Sequence, residues 1–235
     1  MLDAFAADVN QPLAEIVLPW SAAQTAVSQP STQRTASHKN AFVPPRDRLE
    51  LDLKNLWENV LGQPRIGIHD NYFDLGGTSW QAMNLFAEIE KLTGHYLPLA
   101  TLVKASTIAE LADILRHQSG TEAWPTLVNI QEGSAAKKPL YLVHGGGGHV
   151  LVFTQMARHL PADQPVYAFQ AKGLDGKTRP LSTVEEMAAH YVESLLAHQP
   201  QGPYLLGGYS MGGAVAFEMA QQLQAKGHEI DFVGI

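Results

Sequence analysis

Two serines stand where a hydroxyl could do chemistry, each behind a pair of glycines: Ser79 in DLGGTSW, residues 74–80, and Ser210 in LGGYSMGG, residues 206–213. The run from Gly208 to Gly212 fits GxSxG. Small residues on both sides of such a serine permit a strained strand-to-helix turn that lifts the hydroxyl above the edge of a sheet. In that geometry the Met211 N–H faces the oxygen on which negative charge develops. A second backbone donor is expected from HGGGGH, residues 144–149, with Gly145 or Gly146 as candidates, because residues without side chains let an N–H approach a substrate. A phosphate cradle would instead require GKS or GKT, or a GxGxxG followed by an acidic residue one strand later, and neither occurs.

A serine nucleophile at such an elbow needs a base and an orienting acid, which follow it in the order acid, then histidine. Downstream of Ser210 the one histidine is His228, predicted at the wrong end of the last strand. Asp231 falls inside that strand, and Glu218 and Glu229 fall on a helix and a turn. The acid and the histidine are therefore expected beyond Ile235. Ser79 follows a polar loop and begins a helix, where the N-terminal field favours a phosphate carried on its oxygen. By position alone an ordinary helix cap is the leading reading of Ser79.

The elements that must hold these serines differ along the chain. Residues 1–43 read as an upstream remnant and a flexible linker, the latter rich in Ser, Thr, Gln and Ala. Residues 44–118 read as an all-helical unit of four helices. Leu49, Leu53, Leu56, Trp57, Val60 and Leu61 repeat at helical spacing before Gly62, and a second helix runs from Ser79 to Gly94. Thr107 and Glu110 form a capping box for a last helix reaching about Arg116. Residues 119–123 form a short link. In residues 124–235, strands TLVNI, PLYLV, VYAFQ, PYLLGGY and EIDFVGI alternate with helices near 150–159, from a Ser182–Glu185 capping box to His198, and over 212–225. That alternation predicts a mostly parallel α/β sheet, here partial and truncated after the helix that follows Ser210 and the next strand.

Composition narrows the chemistry. The 235 residues contain no cysteine, which excludes disulfides, thiolate metal sites and a cysteine nucleophile; any thiol must be imported. The formal charge of -7 and the lack of a basic cluster argue against a nucleic-acid partner. No metal-binding histidine spacing is present, no apolar run is long enough for a membrane span, and the acidic start is unlike a signal peptide, so a cytoplasmic location is expected.

The run Asp74-Leu-Gly-Gly-Thr-Ser79 before a helix, with the LKNLWENVLG helix and the NYFDLGG approach, resembles the 4′-phosphopantetheine attachment motif of peptidyl and acyl carrier domains. The resemblance implies that Ser79 is the acceptor, with Asp74, Gly76 and Gly77 as its motif context. Trp80 stands where leucine is usual, on the side where partner enzymes dock. Residues 124–235 resemble the N-terminal half of a type I thioesterase of the α/β-hydrolase fold, through PLYLVHGGGG and GYSMGGAVAFEMA. Together they imply a carrier-thioesterase segment of a nonribosomal peptide or polyketide synthase. An acyl or peptidyl substrate would be held as a phosphopantetheine thioester on Ser79, transferred to Ser210, and released by hydrolysis or cyclisation. Its partners would be a phosphopantetheinyl transferase and upstream synthase domains, and the chain by itself would be inactive for want of the acid and histidine. The alternatives are a carrier with a non-catalytic, hydrolase-like docking half, and a standalone serine esterase, which leaves Asp74–Ser79 unexplained.

Overall fold

A computed structural model of the chain describes residues 41–117, 125–174 and 176–235; the remnant and linker expected over 1–43 and the link over 119–123 fall wholly or largely outside these residues. The helical part contains α1 (Arg48–Leu61), α2 (Ser79–Thr93), α3 (Thr101–Lys104) and α4 (Ile108–His117). Helix α1 starts where the Asp47 side chain accepts from the Glu50 N–H, and it stops at Gly62, whose φ of 67° is open to glycine. Its apolar stripe buries Leu53 and Trp57 against Ile66, Ile68, Tyr72, Leu85 and Leu111. Trp57 and Tyr72 meet edge to face with ring centroids 5.3 Å apart, which pins the loop leading to α2 onto α1.

One buried charge ties the ends of this unit together. Glu50 is fully buried on α1 and accepts from Arg46 and from Arg116 of α4, the latter at 3.0 Å. The two guanidinium groups hold its carboxyl well below the ordinary range, to about 2.

The second part is a five-stranded sheet built from β1 (Leu127–Gln131), β2 (Leu140–Val143), β3 (Val166–Phe169), β4 (Tyr204–Gly208) and β5 (Ile230–Gly234) in the order β1-β3-β2-β4-β5. β3, β2, β4 and β5 are parallel, and β1 joins β3 antiparallel. Side chains alternate across the strands. Tyr141, Val143 and Phe169 join a core under α6 (Val184–His198) and α7 (Met211–Ala225), whereas Leu142, Val166 and Ala168 pack with Val150, Phe153 and Ala157 around α5 (Val152–Ala157). Burial on both faces explains why these strands read as continuous apolar runs.

Two expectations are corrected. Helix α5 is shorter than residues 150–159, because its flanks close in tighter i to i+3 turns, Phe153 N–H to the Val150 carbonyl and Leu160 N–H to the Ala157 carbonyl, each at 3.0 Å. The cap of α6 is Thr183, which accepts from Glu186 N–H at 3.1 Å, not Ser182 with Glu185. The stretch STVEE offers both pairings one residue apart, and only the extended backbone at Thr183 selects between them. Among the described residues no helix is long and apolar enough to cross a membrane, and no group of three potential ligands could hold a metal ion.

Replacing Glu50 by Gln is expected to lower stability by about 2 kcal/mol, less than for a fully enclosed pair because both arginines reach solvent. Since folding depresses this carboxyl, its contribution is complete above about pH 4.5 and is lost as pH falls towards 2. Thermal unfolding of wild type and Glu50→Gln at pH 7 and pH 3 should therefore show a gap that narrows in acid.

Candidate functional site

The hydroxyl of Ser210 owes its position to a backbone conformation that serine seldom adopts. Ser210 has φ 56° and ψ −124°, between the end of β4 and the first residue of α7. The turn is held from beneath: Tyr209 N–H donates to the Val143 carbonyl at 3.1 Å, and Gly212 N–H donates back to the Tyr209 carbonyl at 2.9 Å. A Cβ on Gly212 would lie 2.3 Å from the His144 carbonyl oxygen, and one on Gly208 would lie 2.0 Å from the Gly212 carbonyl oxygen. These are backbone atoms where the first turn of α7 packs on the ends of β2 and β4, so neither glycine has a substitute that fits. Ser210 is left exposed at the parallel strands' carboxyl edge.

The loop after β2 comes to the same edge. Gly145 is buried, with the Tyr209 ring against it, and Gly146 is exposed with open space where a Cβ would stand. The Gly145 carbonyl accepts from Gly148 N–H at 3.0 Å and lies 2.6 Å from His144 Nδ1. A carbonyl can only accept, so Nδ1 carries the proton and Nε2 accepts from the Tyr191 hydroxyl at 2.6 Å. Burial pushes His144 below the ordinary imidazole range, against the pull of the Gly145 carbonyl, so it stays neutral. With its carbonyl side fixed in this way, the same trans peptide turns the Gly146 N–H away from the His144 ring. Gly146–Gly148 and Met211 line one pocket of about 300 Å³, whose other lining includes Leu174, Leu181 and Met187.

Sequence reasoning put His144 in the loop but found no role for it, and missed Tyr191 entirely. Tyr191 lies on the buried stripe of α6 with Ala188, Val192 and Leu195, where a tyrosine looks like one more core residue. Among the described residues no imidazole or carboxylate is bonded to Ser210. His190 is engaged by Thr126, Asp231 by Lys138, and the His228 ring packs on Tyr204 at the opposite edge of the sheet.

Ser79 proves not to be a helix cap. Thr78 has the extended backbone of a cap and accepts from Gln81 N–H, while the Gln81 side chain accepts from Thr78 N–H at 3.1 Å. Ser79 is thus the first helical residue, half-buried, with a hydroxyl that the cap does not use. Gly77 lies so close to Tyr72 that a Cβ would sit 2.4 Å from its ring, and Gly76 turns with φ 80°. Asp74 is ion-paired with Arg158 at 2.7 Å, and Trp80 is 68% exposed. An accessible hydroxyl at the start of a fifteen-residue helix fits a phosphate ester.

Comparison with known proteins bears on both serines. Residues 52–115 match a family described as the phosphopantetheine attachment site, and residues 138–235 match the thioesterase domain. The chain is 35% identical over 207 residues to malpibaldin synthetase of Mortierella alpina, covering 88% of this chain and 4% of that protein. It is 37% identical over 189 residues to a dimodular nonribosomal peptide synthase of Bacillus subtilis strain 168, covering 80% of this chain and 8% of that protein. The chain thus spans less than a tenth of either relative's length. A solved four-domain nonribosomal peptide synthetase bound to AMP and glycine superposes with a TM-score of 0.48 at 34% identity, over 83% of this chain and 15% of that one.

Gly212→Ala is expected to cost about 2 kcal/mol or more, because the neighbours it meets are backbone, whereas Gly146→Ala should change stability by less than about 0.5 kcal/mol. Thermal unfolding of the two variants checks the contrast.

Proposed function

We propose, for a chain whose residues 52–115 belong to the phosphopantetheine-attachment family and whose residues 138–235 belong to the thioesterase family, that Ser79 and Ser210 are donor and acceptor sites of one acyl transfer. Covalently attached 4′-phosphopantetheine is the cofactor of the first half, and Ser79 is the residue we assign to it. When bound, the group supplies the thiol that a chain without cysteine lacks. Thr78 takes over the capping of α2 and so leaves the Ser79 hydroxyl available; Gly76 is exposed with open space where a Cβ would stand, and Gly77 gives its space to the Tyr72 ring.

The observation that carries the second half is the strained Ser210 elbow beside a pocket lined by both Met211 and Gly146. Ser210 Oγ attacks the acyl carbonyl, and the carbonyl oxygen takes up negative charge. The N–H of Met211, first in α7 and so without a partner within the helix, is one donor to it. Gly146 rather than Gly145 is the second, since Gly145 is buried beneath Tyr209. Each such donor is typically worth about 3 kcal/mol in the transition state. The His144–Tyr191 pair, itself part of the pocket lining, fixes the loop that carries Gly146. As the adduct collapses the carbon–sulfur bond breaks, the thiol leaves with the proton taken from Ser210 Oγ, and the acyl group stays on Oγ as an ester. Water, or a nucleophile within the acyl chain, then attacks that ester, releasing the product by hydrolysis or cyclisation and restoring the Ser210 hydroxyl.

The proton of Ser210 Oγ needs a base, a contribution of about 10²- to 10⁴-fold, and none is bonded to it among the described residues. We place the base and its acid beyond Ile235. The same observation favours a second reading, in which the hydrolase half serves this chain as a docking body without turnover. In either case a phosphopantetheinyl transferase and the upstream domains of a nonribosomal peptide or polyketide synthase are the partners proposed for the carrier.

Incubation with a phosphopantetheinyl transferase and coenzyme A should add one phosphopantetheine by mass, and Ser79→Ala should abolish the gain; a gain that survives the substitution removes Ser79 from the reading. Once loaded with an acyl thioester, the 235-residue chain should release it no faster than its Ser210→Ala variant does. Ser210-dependent release by this chain would mean that the base lies within it.

A further inference from the structure

Arg158, just past the end of α5, reaches across to the loop that leads to Ser79. Its Nη1 donates to Asp74 Oδ1 at 2.7 Å, its Nη2 donates to Asn71 Oδ1 at 3.2 Å, and its guanidinium lies 5.7 Å from the centre of the Phe73 ring. Three residues of one short loop are thus held by one side chain. Apolar contacts run beside it in both directions. Leu151, from the approach to α5, is buried in the carrier's own core, and Ala100, from the approach to α3, is buried with Val128, Val150 and Phe153 of the hydrolase half. Farther along, Tyr96 O–H donates to the carbonyl of Leu174, which lines the pocket beside Met211.

We propose that Arg158 is a latch that seats the carrier on the hydrolase half through the 71–74 loop, Tyr96 and α3, and that this seating leaves the Ser79 face open, so that the carrier can be loaded without undocking. The second clause rests on the reading of Ser79 as acceptor; the first does not. Arg158 and the Leu174 carbonyl are met by the 71–74 loop and by Tyr96, while on α2 Trp80 and Met83 stay exposed beside Ser79. The ion pair is more than a third exposed on both sides, so salt screens it and it supplies register more than strength. The apolar contacts on either side of it supply the hold.

The test uses the unmodified 235-residue chain and its Arg158→Glu variant, which sets a carboxylate against Asp74. Amide ¹⁵N relaxation should give α1–α4 and the sheet one common rotational correlation time in wild type and two shorter ones in Arg158→Glu. The charge swap Asp74→Arg with Arg158→Glu should restore the common value. With transferase and coenzyme A, the rate of mass gain at Ser79 should agree within twofold between wild type and Arg158→Glu. Separate tumbling in wild type, or tumbling that Arg158→Glu leaves unchanged, overturns the latch. Modification that speeds up more than twofold in Arg158→Glu overturns the open face, because the seated carrier would then hide its serine. Absence of mass gain in both proteins overturns the acceptor reading and the open face together, while tumbling still decides the latch.

Discussion

Two carbonyl oxygens at the end of β2, those of Val143 and His144, lie so close to the first turn of α7 that only a residue without a side chain fits between them. That approach sets the height of Ser210 above the sheet and its unusual φ. It also brings the glycine loop of residues 144–148 to the serine, since the loop begins at the very carbonyls that α7 leans on. Tyr209 closes the arrangement from the other side, by donating its N–H to Val143 and laying its ring over Gly145. Loosening any one of these contacts would move the serine and both candidate backbone donors together.

The carrier half solves a different problem with similar letters. A serine at the start of a helix ordinarily spends its hydroxyl on capping, and Ser79 does not, because Thr78 and Gln81 have taken that work. Gly77 serves Tyr72, whose ring occupies the space a side chain there would need and packs against Trp57. The attachment loop is therefore anchored to the core of its own half, while its outer face, Asn71 to Asp74, is held by Arg158 of the other. Glu50 gives the same unit a buried charge where its ends meet, bridging the first turn of α1 and the last turn of α4.

Much of this was legible in the residues. Three helices of the first half, α1, α2 and α4, the strand and helix alternation of the second, and the glycine loop follow from periodicity and from glycine positions, because those signals are local; the single turn of α3 is too short to carry a period. Several boundaries were not. STVEE contains two overlapping capping pairs, and only the backbone at Thr183 chose between them; α5 is shortened because residues on both sides of it close in i to i+3 turns. Ser79 looked like a cap because threonine and serine stand side by side and either could have filled the role.

The sequence by itself determined where the longer helices and the strands lie, which two serines stand at helix starts behind glycines, and that no thiol of its own is available. These depend on neighbours within a few residues. Only tertiary structure decided that His144 is neutral and bonded to Tyr191, that Gly146 rather than Gly145 faces the pocket, and that Arg158 grips the loop before Ser79. Each of those pairs lies 45 or more residues apart in the chain or turns on which side of a peptide is already occupied. Burial and hydrogen-bond partnership are properties of the packed chain, and no local pattern carries them.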